Sequence, residues 1–115
     1  MDDFKRDLEK LIEEGMIGHN KGKMRFKFRY GNILTGDIEN LGLSNMSYNT
    51  LRRANIKTIE GVSDNWDNLA RVKNLGEKKL KEVKNKYLAW YYYNLDKEQR
   101  MEFWMDVVTA TKEME

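Results

Sequence analysis

From Ile38 onward, apolar residues recur every three to four positions, and no proline interrupts them anywhere in the chain. That pattern restricts this part of the chain to helices, each packing through one face. Capping residues stand where the helices would begin. Ser44 precedes a helix carrying Tyr48, Leu51 and Ala54, with Ser47 three residues on. Thr58 precedes a short helix from Ile59 to Val62, and Asp64 or Asn65 opens a third with Trp66, Leu69 and Ala70. Asn74-Leu75-Gly76 is a tight turn ahead of a long fourth helix. Its apolar stripe is Leu80, Val83, Tyr87 and then Trp90 or Tyr91. Trp90, Tyr91, Tyr92 and Tyr93 are consecutive, so a helix spreads them around its axis and they cannot share one core face. Asp96 and Gln99 form a capping box for a last helix, predicted to gather Met101, Trp104, Met105 and Val108 on one face.

The N-terminal part reads differently. Asp3 to Glu14 predicts a helix with Phe4, Leu8, Leu11 and Ile12 at helical spacing, ended by Gly15. The turn-like stretch MIGHNKGK follows. Met24, Phe26, Phe28 and Tyr30 then alternate with Arg25, Lys27 and Arg29, the pattern of a half-buried strand. Gly31-Asn32 would turn it and Ile33 to Thr35 would return, making a small β-hairpin. A lone hairpin needs something to pack on. Its basic face is either a ribbon for a phosphate backbone or the ordinary wet face of a sheet.

Length and composition narrow the function. The 115 residues match one ordinary domain, with room for a small appended piece. Cysteine is absent, which excludes disulfides and zinc-thiolate sites and fits a cytoplasmic setting. No stretch approaches the roughly 20 apolar residues of a membrane span, and MDDFKRDLEK lacks the apolar run of a signal peptide. Net charge is only +2 but is unevenly placed. Lys21 to Arg29 holds five basic residues and no acid; Arg71 to Lys86 holds seven against Glu77 and Glu82. From Leu95 onward acids outnumber bases six to three. Two basic zones point to a polyanion or an acidic protein as partner. His19 lies in a turn with no second ligand in reach, and Glu13-Glu14 sits on a charged helix surface. No phosphate loop, dinucleotide-binding glycine pattern or metal-spaced histidine pair occurs, so neither enzyme activity nor a cofactor is expected.

Two blocks carry a resemblance. IENLGLSNMSYNTLRRANIKTIEGV and, after a short spacer, LARVKNLGEKKLKEVKNK together resemble the C-terminal domain of the bacterial RNA polymerase alpha subunit. The likeness covers residues 38 to 86. It implies a mainly α fold: a four-helix, helix-hairpin-helix-type domain over 38–93. Residues 1–37 add a helix and hairpin, and residues 94–115 add a C-terminal helix packed on the domain. It also implies a DNA-binding, transcription-linked module, with double-stranded DNA, RNA polymerase or transcription regulators as partners. A chain this short has no room for the polymerase-assembling domain of a full alpha subunit, so a stand-alone module is expected. The competing expectation is a protein-interaction module without DNA affinity.

In that family the minor groove and backbone are met by an arginine at the start of the first helix, an asparagine three residues later, and the NLG-lysine turn. Carried over, these contacts fall on Asn49, Asn74, Gly76 and Lys78, with Met46 in the arginine's place. Lys79 and Arg52 complete the candidate DNA-binding set; Arg52 and Arg53 are adjacent, so at most one faces a partner. Lys78 and Lys79 oppose the helix dipole, a local conflict expected where a site is built. Methionine cannot supply the charge or hydrogen bonds that an arginine brings to a narrow groove. Three readings of Met46 follow: a lost groove contact that leaves a phosphate binder, an adaptable apolar surface for a protein, or a wedge between base steps.

Overall fold

The structure, a computed structural model, describes residues 3–15 and 24–112. These are mainly helical: α1 (Asp3–Glu13), α2 (Asn45–Arg53), α3 (Ile59–Asp64), α4 (Gly76–Tyr93) and α5 (Lys97–Lys112), with 3-10 turns at Ile38–Leu41 and Trp66–Arg71. The predicted turn over 16–23, with His19, Lys21 and Lys23, lies outside the described residues. The chain forms two compact units, Tyr30–Tyr91 and the pair of segments Met1–Arg29 and Tyr92–Glu115.

Helix limits follow from local chemistry. The first amides of a helix have no partner inside it, and a side-chain oxygen just upstream supplies one. Ser44 Oγ accepts from Ser47 N–H at 3.3 Å, and Thr58 Oγ1 from Gly61 N–H at 3.0 Å. Asp96 and Gln99 exchange bonds reciprocally at 2.8 and 2.9 Å. α2 is closed by Asn55, in the left-handed region at φ 64°. Asn55 N–H then reaches Arg52 O, and Ile56 N–H reaches Leu51 O, the paired bonds of a Schellman ending. Gly15 closes α1 in the same region, at φ 73°.

In the unit formed by residues 30–91, Ile38, Leu51, Ile59, Val62, Leu69, Leu75, Val83 and Tyr87 are fully buried or nearly so. They come from α2, α3, α4 and the turns between and before them, and they form the core of this unit. Tyr91 adds to it, and its hydroxyl accepts from Tyr30 N–H at 2.9 Å.

The second unit has an aromatic core. Phe4 of α1 stacks on Trp104 of α5 at 5.3 Å, Phe103 meets Trp104 edge-on at 5.1 Å, and Phe26 stacks on Phe103 at 6.1 Å. Its polar atoms form a relay: Trp104 Nε1–H donates to Tyr92 Oη at 2.7 Å, and Tyr92 O–H donates to Asp7 at 2.6 Å. Burial works to raise the Asp7 carboxyl, but hydrogen bonds from Tyr92 and Arg6 outweigh it and hold it below the usual carboxylate range.

Two expectations need correction. The β-hairpin is absent: residues 24–28 have no strand partner, and the described residues contain no strand, only an isolated bridge between Asp37 and Thr58. The alternation itself is real, because Phe26 and Phe28 are half-buried while Arg25, Lys27 and Arg29 are exposed. The extended segment pairs with α5 instead. Arg25 N–H donates to Thr111 Oγ1 at 3.2 Å, and Arg29 makes a bidentate contact with Asp106 (2.8 and 3.2 Å) and reaches Glu102 at 3.3 Å. Tyr30 O accepts from both Ile33 and Leu34 N–H. That turns the backbone at Gly31-Asn32 but leaves no returning strand. Second, α5 buries Phe103, Trp104 and Val107, whereas Met101 and Met105 are 61% and 67% exposed. Apolar residues lie almost all round this helix, so periodicity alone does not choose its inner face. The larger rings, with Phe4 and Phe26 to meet, take the core.

Candidate nucleic-acid interface

The candidate site lies within residues 30–91, where α2 runs beside the turn that opens α4. The turn needs two residues in the left-handed region, Asn74 at φ 67° and Gly76 at φ 69°. Asparagine and glycine are the residues that adopt it at least cost. Between them Leu75 is 1% exposed, anchoring the turn in the core. A Cβ at Gly76 would meet no atom within 4 Å, so the backbone there faces open space.

The groove beside this turn, about 670 Å³, brings together Met46, Asn74, Gly76, Lys78 and Lys79, with Glu82 on its wall. Five of the seven candidates from sequence therefore converge. Met46 is 67% exposed. Lys79 reaches back so that its Nζ donates to Asn74 O at 3.0 Å. Its charge thus braces the turn. Lys78 is exposed and makes no ion pair among the described residues.

Asn49 and Arg52 stand apart. Asn49 is exposed and lines no part of the groove. It is three residues from Met46 and four from Arg53, which places it on the same side of α2 as both. Arg52 is turned aside: its guanidinium lies 5.5 Å from the Tyr48 ring centre, and Nη1 donates to Tyr48 Oη at 3.2 Å. Of the adjacent pair it is Arg53 that faces the turn, sharing a hollow with Lys73 and Asn74. The sequence reading chose Arg52 of this pair and singled out neither Arg53 nor Lys73. The signal was available in register, since Arg53 is seven residues from Met46, two turns along one face.

Glu82 sets the electrostatics of the wall. Its carboxylate accepts from Ser44 N–H and O–H at 2.8 and 2.9 Å, and from the Ser47 hydroxyl. Burial works to raise this carboxyl, but the bonds from Ser47 and Ser44, with Lys86 nearby, outweigh it and hold it below its ordinary value. The negative charge is thereby spent on the α2 N-terminus, where the helix dipole favours it. Glu82 ties α2 to α4 and keeps Met46 beside Gly76. Among the described residues, no group of three or more histidine, aspartate or glutamate side chains is placed to hold a metal ion. No helix among them is long and apolar enough to cross a membrane.

A small helical module with a cationic, glycine-hinged turn beside an exposed helix face is a form suited to polyanions. Residues 30–88 match the family model for the C-terminal domain of the bacterial RNA polymerase alpha subunit, and this protein belongs to that family. Domains of the family are non-catalytic, transcription-related and DNA-binding in general. No solved structure matches this protein.

Proposed function

We propose that this protein is a non-enzymatic, helix-hairpin-helix-type module that holds the phosphate backbone of double-stranded DNA in the groove between α2 and the Asn74–Gly76 turn. The working part is residues 38–93, with 1–37 and 94–115 as additions. One observation carries the reading: Gly76, Lys78 and Asn74 open onto the same groove as the α2 face. Backbone amides at a helix start carry partial positive charge and suit a phosphate oxygen. The ammonium of Lys78 adds full charge at the same end, Lys79 holds the turn in shape, and Asn49 offers an amide along α2.

Met46 brings neither charge nor hydrogen bonds, so the module reads backbone far more than base sequence. The setting is the bacterial cytoplasm, and RNA polymerase or a transcription regulator is the protein partner that family membership suggests. A specific observation favours a second reading: the exposed thioether of Met46 is also what an adaptable protein contact would use.

Fluorescence anisotropy with A·T-rich and G·C-rich duplexes at two salt concentrations separates the two. The two ammonium groups of the groove, Lys78 and Lys79, contribute about −1.8 to the log–log salt slope, and Lys78→Ala makes it shallower by about 0.9. The two duplexes bind within a few-fold of one another. Absence of duplex binding at low salt would discard the DNA reading and leave the protein partner.

A further inference from the structure

Asn74 lines two hollows. The second, about 240 Å³, is shared with Thr50, Arg53, Ala54 and Lys73. Its chemistry differs from that of the groove. No carboxylate lines it, whereas Glu77 and Glu82 line the groove. Thr50 is already satisfied, its hydroxyl donating to Met46 O at 2.7 Å, and Ala54 contributes only a small wall. Arg53 and Lys73 are exposed, and neither has an acidic partner among the described residues. Two cations facing one hollow repel each other, and an anion seated between them relieves that.

A basic residue in the last turn of α2 can offset the helix dipole, which is the bland account of Arg53. It leaves Lys73 unexplained, since Lys73 sits in the turn before α4. The α2 carbonyls are moreover already closed by Asn55 and Ile56.

Resting on the DNA reading of the groove, we infer that Arg53 and Lys73 form a second phosphate subsite, so that the protein follows a DNA strand through two cationic seats on either flank of Asn74. Met46 belongs to one seat and Arg53 to the other. Seven residues of α2 advance about 10 Å, and a strand advances roughly 3.4 Å per phosphate along the duplex axis. The two seats are therefore far enough apart to meet different phosphates, and Asn49 lies between Met46 and Arg53 on the same side of α2.

The test uses the full-length protein, with helicity checked by circular dichroism. Duplex titrations over a salt series compare wild type, Lys78→Ala, the double variant Arg53→Ala/Lys73→Ala, and the charge-conserving pair Arg53→Lys/Lys73→Arg. The alanine pair is expected to make the slope shallower by about 1.8 and the charge-conserving pair to leave it unchanged. A wild-type slope in the alanine pair, with Lys78→Ala still shallower, overturns the second seat and leaves the groove standing. Failure of wild type to bind duplex overturns both. Loss of poly-glutamate binding by the alanine pair, with duplex binding intact, assigns the hollow to protein carboxylates and also overturns the inference.

Discussion

Gly76 shows how one residue can serve both fold and site. A methyl group there meets no neighbour, so Gly76→Ala has only the backbone to contend with. At φ 69° that strain costs about 1–2 kcal/mol, readable as a lowered urea midpoint with an unchanged m-value. Tyr92 is a residue of another kind, a polar atom made tolerable in an aromatic core by partners on both sides. Tyr92→Phe strands the buried Trp104 N–H and is expected to destabilise the protein by about 1–3 kcal/mol in the same measurement. Met46→Arg should instead leave stability within about 0.5 kcal/mol, because the site is exposed. It should raise affinity for A·T-rich over G·C-rich duplex, since it restores the group that a narrow minor groove attracts. No gain by anisotropy would mean that Met46 does not stand in for a lost groove contact.

Between α2 and α4 the decisive link is Glu82 with Ser44 and Ser47. The Glu82 carboxyl titrates lower in the folded protein than its ordinary value. The charged form is therefore the one that folding favours. Its contribution is whole above the unfolded value of about 4.3 and is lost as pH falls through the lower folded one. Glu82→Gln is expected to lower stability at neutral pH by about 1–3 kcal/mol. It should also flatten the fall between neutral and acid, measured as urea midpoints at several pH values. An acid limb as steep as wild type would mean that other carboxylates, Asp7 among them, govern it. Because the same link holds Met46 beside Gly76, duplex affinity should fall with it at neutral pH.

At the scale of the molecule, the unit containing α1 and α5 is assembled from both ends of the sequence. α1 has 11 residues, too few to be a stable helix in water unaided. Removing residues 95–115 takes away Phe103 and Trp104, on which Phe4 packs, and leaves it only Phe26 and Tyr92 among the rings it meets in the described residues. The loss of far-UV helical signal is expected to exceed the share of α5 alone, because α1 melts with it. A loss equal to α5 by itself would mean that α1 has other support.

Much of the fold was legible in the order of residues because its signals are local. Ser44, Thr58, Asp96 and Gln99 act across two or three positions, and Asn74 and Gly76 set their own backbone, so helix starts and the site's turn could be placed without any distant contact. Pairings between remote segments left no such mark. The alternation of Phe26 and Phe28 with Arg25 and Arg29 specifies an extended segment with one apolar side, but not what it lies against. α5, with apolar residues on nearly every side, did not specify its inner face. Register could restrict Arg52 and Arg53 to different sides of α2, yet only the packed structure shows Arg52 drawn to Tyr48 and Arg53 beside Lys73. Tyr91 and Tyr92 enter different cores for the same reason. Capping and turn energies belong to neighbours along the sequence, whereas burial and ion pairing depend on surfaces that exist only after the protein has folded.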